Sequence, residues 1–299
     1  MSPRLFAHQI LVHANPIAFL LERAFIRHHL PRMRAGTRKG LRLRHARLWC
    51  VLLFCVAIGV VSCGNKVESG AERIERTGVL RVGTDATYPP FESVDTETGD
   101  LVGFDIDLVE EICRELRCSP EFVVTPFDGI VTGLNTGKYD LIVSSFTITP
   151  ERAEQVAFTE PYYDAGQALA VPVYDTDIHG VNDLAGKSVG VQLGTTGERR
   201  AREIPGVNVV SFENISAAFI DMENGRLDAV INDRPTTEIF IRERGTAKIV
   251  GPILTAENYG MAVRLDDRDL LAKINHALDV MREDGRFDII QDRWFGPGG

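Results

Sequence analysis

The mature part of the chain alternates between two periodicities. In "GFDIDLVEEICREL", apolar residues at 104, 108, 112 and 116, with 109 beside them, form one stripe of a 3.6-residue helix. Before it, "VLRVGT" reads as a buried strand leading into a Pro-rich loop, "DATYPPFES", and "TETGD" reads as a turn. After it come a strand "EFVVT", a short helix "FDGIVTGLNTG" ending on Gly137, and a strand "YDLIVSS". The alternation then restarts. "GQALAVPV" and "KSVGVQL" read as strands, "TTGERRARE" as a helix, "VNVVSF" as a strand and "ISAAFIDMENG" as a helix. "LDAVIND", "RPTTEIFIRERG" and "AKIVG" continue as strand, helix and strand. A last strand, "YGMAVRL", precedes two helices, "DLLAKINHALDVMREDG" and "FDIIQDRWFG". Strands alternating with helices predict parallel-type α/β sheets. The restart predicts two α/β lobes of about a hundred residues each, without a long linker.

The first 62 residues do not follow this pattern. They carry ten Lys/Arg against one acidic residue, Glu22, and contain the apolar run "LWCVLLFCVAIGVV". Spanning a bilayer takes about 20 residues, so this run is short for a transmembrane helix. Preceded by "RKGLRLRHAR", it has the charged and apolar regions of a secretory signal. It ends in "VVSC", which resembles a bacterial lipobox with Cys63 as the lipidated residue; an ordinary signal with an incidental Cys is the plainer reading. Residues 1–32 exceed what export needs, and Met33 is the expected start of a conventional signal. Residues 63–77 are expected to be a polar tether.

Without the export segment the chain keeps 23 basic against 41 acidic side chains, a net charge of about −18. Such a surface repels nucleic acid, and no basic patch with interleaved aromatics occurs. Cys113 and Cys118 remain close together in an exported protein, where disulfides persist. Five residues apart in one helix they are too distant to bridge. A disulfide therefore requires the helix to end near Leu116-Arg117, as Ser119-Pro120 independently suggests. That bridge is expected; two buried thiols are the alternative.

Open α/β sheets bind ligands at the carboxyl ends of their strands. Those ends hold Asp85 and Tyr88, a carboxylate and an aromatic face, and Phe127 offers a second face. Ser144, Ser145 and Thr147 add hydroxyls. Gly194-Thr195-Thr196-Gly197-Glu198 opens a helix with Thr195 and Glu198 at capping-box spacing, and its free N–H groups favour an anion. Asp233 ends a later strand. Arg152 stands in the first turn of a short helix that Thr149 caps and Pro150 begins, where the helix dipole disfavours a cation. It either awaits an anion or pairs at the surface with Glu151 or Glu154. Together these groups suit a zwitterion: Arg152 and the Thr196 amide for a carboxylate, Asp233 and a Ser or Thr oxygen for an ammonium.

These residues carry a resemblance. "GFDIDL" followed by Ile112-Cys113, with "VGTDATYPPFES", "SSFTITPERAEQVAFTEPYY", "KSVGVQLGTTGE", "AVINDRP" and "DGRFDIIQDRWFG", resembles the bacterial extracellular solute-binding proteins for polar amino acids from Val79 to Gly296. The resemblance implies a type II periplasmic-binding-protein fold, two α/β lobes (78–165 with 259–299, and 166–258) joined by two hinge crossings that close on one free amino acid. It implies an ABC importer as partner; a monomer without a cofactor is expected, and the lipobox-like Cys63 places it in the periplasm or at the cell surface, held to a membrane by lipid. By position, Arg152 resembles the family's α-carboxylate clamp and Asp233 its α-ammonium acceptor. Tyr88 and Phe127 resemble the aromatic walls, and Ser144, Ser145, Thr147 and Thr196 the polar contacts to the ligand's backbone-like end.

Glutamine binders of the family often carry a lysine where this chain has Gln192 and a histidine where it has Asn232. Neither cation is present, while Asp85 remains to meet the side-chain tip. A cationic side chain between Tyr88 and Phe127 also gains cation–π attraction. A basic amino acid (arginine, lysine or histidine) is therefore expected first and glutamine second. The mature chain has only His179 and His276 and no H-E-x-x-H, G-x-S-x-G or P-loop, which argues against an enzyme. A dehydratase on the same scaffold is the alternative from another class, with Asp85 or Asp233 as its acid or base.

Overall fold

The computed structural model describes residues 68–296, so the expected export segment and Cys63 lie outside the described residues. In chain order the first elements are α1 (Gly70–Thr77), β1 (Val79–Thr84), β2 (Thr87–Tyr88), β3 (Glu92–Val94), β4 (Leu101–Val102), α2 (Phe104–Leu116) and β5 (Ser119–Val124). Next come α3 (Ile130–Asn135), β6 (Leu141–Ile142), α4 (Pro150–Ala153), β7 (Val156–Phe158), β8 (Tyr163–Ala165) and β9 (Gln167–Pro172). They are followed by β10 (Ser188–Gln192), α5 (Thr196–Arg202), β11 (Asn208–Phe212), α6 (Ile215–Glu223), β12 (Ala229–Asp233) and α7 (Arg234–Arg244). The last are β13 (Ala247–Val250), β14 (Glu257–Tyr259), β15 (Ala262–Arg264), α8 (Arg268–Glu283) and α9 (Arg286–Phe295).

Two five-stranded sheets organise these elements, in the orders β5-β1-β6-β15-β7 and β11-β10-β12-β9-β13. The sheets are mixed rather than purely parallel. β15 runs antiparallel to β6 and β7, and β9 antiparallel to β12 and β13. Both odd strands follow directly on the two-stranded ribbon β8·β14, through which the chain passes from one sheet to the other. A strand entering from that ribbon starts at the edge where β1, β6, β10 and β12 end, and so runs against them. Without a crossover helix, parallel pairing is not available to it.

The helical stripe read from sequence is buried: Leu108, Val109 and Ile112 are fully enclosed and pack in one core with Leu270, Ile274 and Leu278 of α8. Each such side chain contributes about 1.5–3 kcal/mol. Gly103 fixes where α2 begins. Its φ is 144°, and a Cβ there would lie 2.0 Å from the Phe91 carbonyl oxygen. That close approach lets the Phe104 and Asp105 N–H groups donate to the Pro90 and Phe91 carbonyls, both at 2.9 Å.

Two expectations are corrected. The tether expected over 63–77 is helical from Gly70, with Ser69 and Glu72 forming a capping box. The Gly70 N–H donates to Asp267 Oδ2 at 2.6 Å, which ties this helix to the start of α8. In place of the expected disulfide, Cys113 and Cys118 are free thiols. The helix does end at Leu116, with Arg117 left-handed at φ 56°, and the Cys118 N–H returns to the Cys113 carbonyl at 2.9 Å. No S–S bond joins the two thiols.

Candidate functional site: a charged cavity at the strand ends

The ends of β1, β6, β10 and β12 converge on one small cavity between the two sheets. Asp85, Tyr88, Phe127, Ser144, Ser145, Thr147, Arg152, Gln192, Thr195, Thr196 and Asp233 all line it, and so does Glu92.

At one end, Thr149 caps α4 by accepting from the Arg152 N–H at 3.2 Å, and Pro150 takes the first helical position as the sequence predicts. The Arg152 guanidinium donates to the Thr147 carbonyl at 2.8 Å and, across the cleft, to the Gly194 carbonyl at 3.2 Å. It stacks 4.2 Å from the Phe146 ring centroid and 5.3 Å from that of Phe127. Glu151 is instead held by Arg199 at 3.0 Å. Burial pushes the Arg152 pKa down to about 10, opposed by Asp233 and Glu257, so the group stays charged at neutral pH.

Thr195 caps α5 at the Glu198 N–H, 3.1 Å. Glu198 departs from a simple capping box: its carboxylate reaches Gly194 N–H at 2.7 Å and is also gripped by Arg202 and Ser211. Beside it, Asp233 accepts from Gln167 Nε2 and from the Tyr259 hydroxyl. Burial raises its pKa to about 6, with the nearby Glu257 adding to the shift. The Thr147 and Thr196 hydroxyls donate to Glu257 Oε2 at 3.0 and 2.8 Å.

At the other end, the Gln192 amide donates to Asp85 Oδ2 at 2.6 Å, and Thr87 donates to Asp85 Oδ1 at 3.1 Å. Burial raises the Asp85 pKa despite those bonds. The Tyr88 hydroxyl donates to Asn232 Oδ1 at 2.7 Å, joining β2 to the end of β12. An anion-seeking guanidinium and two buried carboxylates, separated by aromatic walls, can hold a small molecule that carries both charges.

Sequence reasoning did not single out Glu92, Gln167, Glu257 or Tyr259. Gln167, Glu257 and Tyr259 lie on the strands that enter and leave the ribbon, so only the β8·β14 pairing reveals their proximity. Glu92 follows "TYPPF", where nothing in the local pattern distinguishes a loop carboxylate from a buried one.

Residues 80–297 match the family described as bacterial extracellular solute-binding proteins, family 3. The chain belongs to this family. Among curated relatives of this solute-binding protein, ABC transporter arginine-binding protein 1 of Escherichia coli K12 is 37% identical over 232 residues, covering 76% of this chain and 93% of the relative. An ancestral arginine-binding protein, solved bound to arginine, shares 45% identity and superposes with a TM-score of 0.71 over 73% of this chain and 99% of its own. An ancestral amino acid-binding protein described as a precursor of cyclohexadienyl dehydratase shares 40% identity, with a TM-score of 0.72 over 76% of this chain and 100% of its own. The type II periplasmic-binding-protein fold expected from the sequence is the fold of this solute-binding protein and its solved relatives.

Proposed function

We propose that this solute-binding protein captures a free basic amino acid, arginine before lysine and histidine, for an ABC importer. The observation that carries the proposal is the lining of one cavity, which brings Arg152, Asp233 and Asp85 together with the Tyr88 and Phe127 rings. Arg152 meets the α-carboxylate bidentately and Asp233 the α-ammonium. The cationic side chain lies between the two rings with its tip on Asp85. The ribbon β8·β14 acts as the hinge, with 78–165 and 259–299 as one lobe and 166–258 as the other. Its relatives with arginine-binding names support the basic ligand. An ancestral arginine-binding protein has also been solved with glutamine, which keeps glutamine as the second reading.

The protein acts without chemistry, as a monomer, anchored at the periplasm or cell surface by a lipid on Cys63. Calorimetric titration of the soluble domain with arginine, lysine, histidine, glutamine and glutamate tests the ligand assignment. Arginine bound tightest supports it, and glutamate bound tightest refutes it. Unaltered arginine recovered after incubation separates binding from a dehydratase-like reaction.

A further inference from the structure

Two carboxyl groups, Glu92 in the cavity lining and Asp105 outside it, take no part in the proposed ligand contacts. Glu92 and Asp105 are 1% and 0% exposed. Asp105 reaches this position because α2 begins on the Phe91 carbonyl, as Gly103 permits. Its Oδ2 accepts from the Ser145 N–H at 2.8 Å and from the Tyr162 hydroxyl at 2.9 Å. The first of these bonds holds Ser145 at its left-handed φ of 46°. Its Oδ1 is buried without a hydrogen-bond partner, and the Glu92 carboxyl, which bonds the same Ser145 through its hydroxyl, is the neighbouring acid. Two neighbouring buried carboxylates do not both ionise. A single proton between them supplies Oδ1 with its missing partner, and burial raises the pKa of both groups accordingly.

That shared proton has a consequence for the cavity. Glu92 Oε1 and Oε2 lie 2.9 Å from Ser144 Oγ and 3.1 Å from Ser145 Oγ. With the pair's proton engaged towards Asp105, both Glu92 oxygens can only accept from the serines. Ser144 Oγ also accepts from the Asp85 N–H at 3.0 Å, which leaves it one further lone pair for the cavity. A hydroxyl has one proton. Each serine spends it on Glu92 and shows the cavity only lone pairs.

We propose that Glu92, mounted on Asp105, is a selectivity-determining positioning residue: it locks Ser144 and Ser145 as acceptors, so that this wall favours ligand N–H donors over ligand carbonyls. This rests on the amino-acid-binding reading and deepens it. It adds to Asp85, whose N–H Ser144 holds, a second, uncharged reason for preferring a guanidinium, and it gives the two serines to the side-chain tip rather than to the backbone-like end that the resemblance implies.

Arginine and citrulline test it, since they share a shape and differ by one N–H₂ replaced with a carbonyl oxygen. In E92Q, one carboxyl oxygen becomes an amide N–H₂, which donates to a serine and turns that hydroxyl's proton into the cavity. The ratio of citrulline to arginine dissociation constants should narrow by about tenfold, the effect of one hydrogen bond to a charged group. A purely structural role for Glu92 would weaken both ligands together and leave the ratio unchanged. The S144A/S145A double variant keeps the carboxyl pair and should narrow the ratio as well. Adding E92Q to that background should change the ratio no further. If E92Q does not fold, the double variant alone decides. An unchanged ratio in folded E92Q, or in the double variant, overturns the proposal while leaving the amino-acid reading in place. A wild-type protein that binds no amino acid overturns that reading instead.

Discussion

Truncating Arg152 should weaken every amino-acid ligand by a similar factor and leave their rank order intact. The guanidinium spends one N–H on the Thr147 carbonyl and one on the Gly194 carbonyl. A guanidinium has five N–H donors, so a fork remains for a carboxylate. Removing one member of a desolvated charge pair costs ~2–5 kcal/mol. Arg152 is half-buried here, so the lower half of that range applies, or roughly one and a half to two and a half decades in affinity. Lysine should rescue only part of the loss, because one ammonium reproduces neither the fork nor the flat stacking on Phe146. The fold should survive, since Arg152 sits at the end of a short helix and its protein bonds are two contacts to carbonyls. The assay is calorimetric titration of arginine, lysine and glutamine into wild type, R152A and R152K, with melting curves as the folding control. Unchanged dissociation constants would refute the carboxylate-clamp assignment. A loss confined to one ligand would mean that Arg152 reads the side chain instead.

D85N should cost arginine and lysine far more affinity than glutamine; equal losses would place the side-chain tip elsewhere. Affinity should fall as pH drops through about 6, towards one decade per unit, because bound ligand needs Asp233 ionised while the empty site there holds it protonated. The same raised pKa works in reverse on the empty protein. Its Asp233 contribution to stability is fully present below the unfolded carboxyl value and is lost as pH rises through about 6, so the ligand-free melting temperature should be higher at pH 5 than at pH 7.5. C63S should release the protein from membranes without altering ligand affinity, and retention would identify the apolar run as the anchor.

The elements most legible in the sequence were those whose neighbours along the chain decide them. The stripe of α2 and the capped start of α4 are local patterns. The strand-end residues are legible too, because an open sheet sends its loops to one edge wherever the strands finally pair. What escaped was set by distant pairing. Glu92 is buried only because Gly103 lets α2 begin against the Phe91 carbonyl. Gln167 and Glu257 come within reach of each other across 90 residues of chain. The direction of β9 and β15 depends on where the ribbon delivers them, which no local periodicity records. α1 is a different kind of miss: Ser69 and Glu72 carry a capping-box signal that the polar composition around them obscured.

The placement of β15 bears on how the molecule is made. In its sheet β15 lies between β6 and β7, and β7 has no other partner there. The second sheet is a single unbroken stretch, β9 to β13, and can pair fully as soon as it is synthesised. The first cannot. When Phe158 has been made, more than a hundred residues still separate it from Ala262, its partner in β15. Until then β6 presents a bare edge and β7 has nothing to bond to. The sheet begun first is therefore finished last, and a chain cut short before β15 would retain a complete second sheet beside a first sheet with an open flank, the kind of edge that recruits another strand.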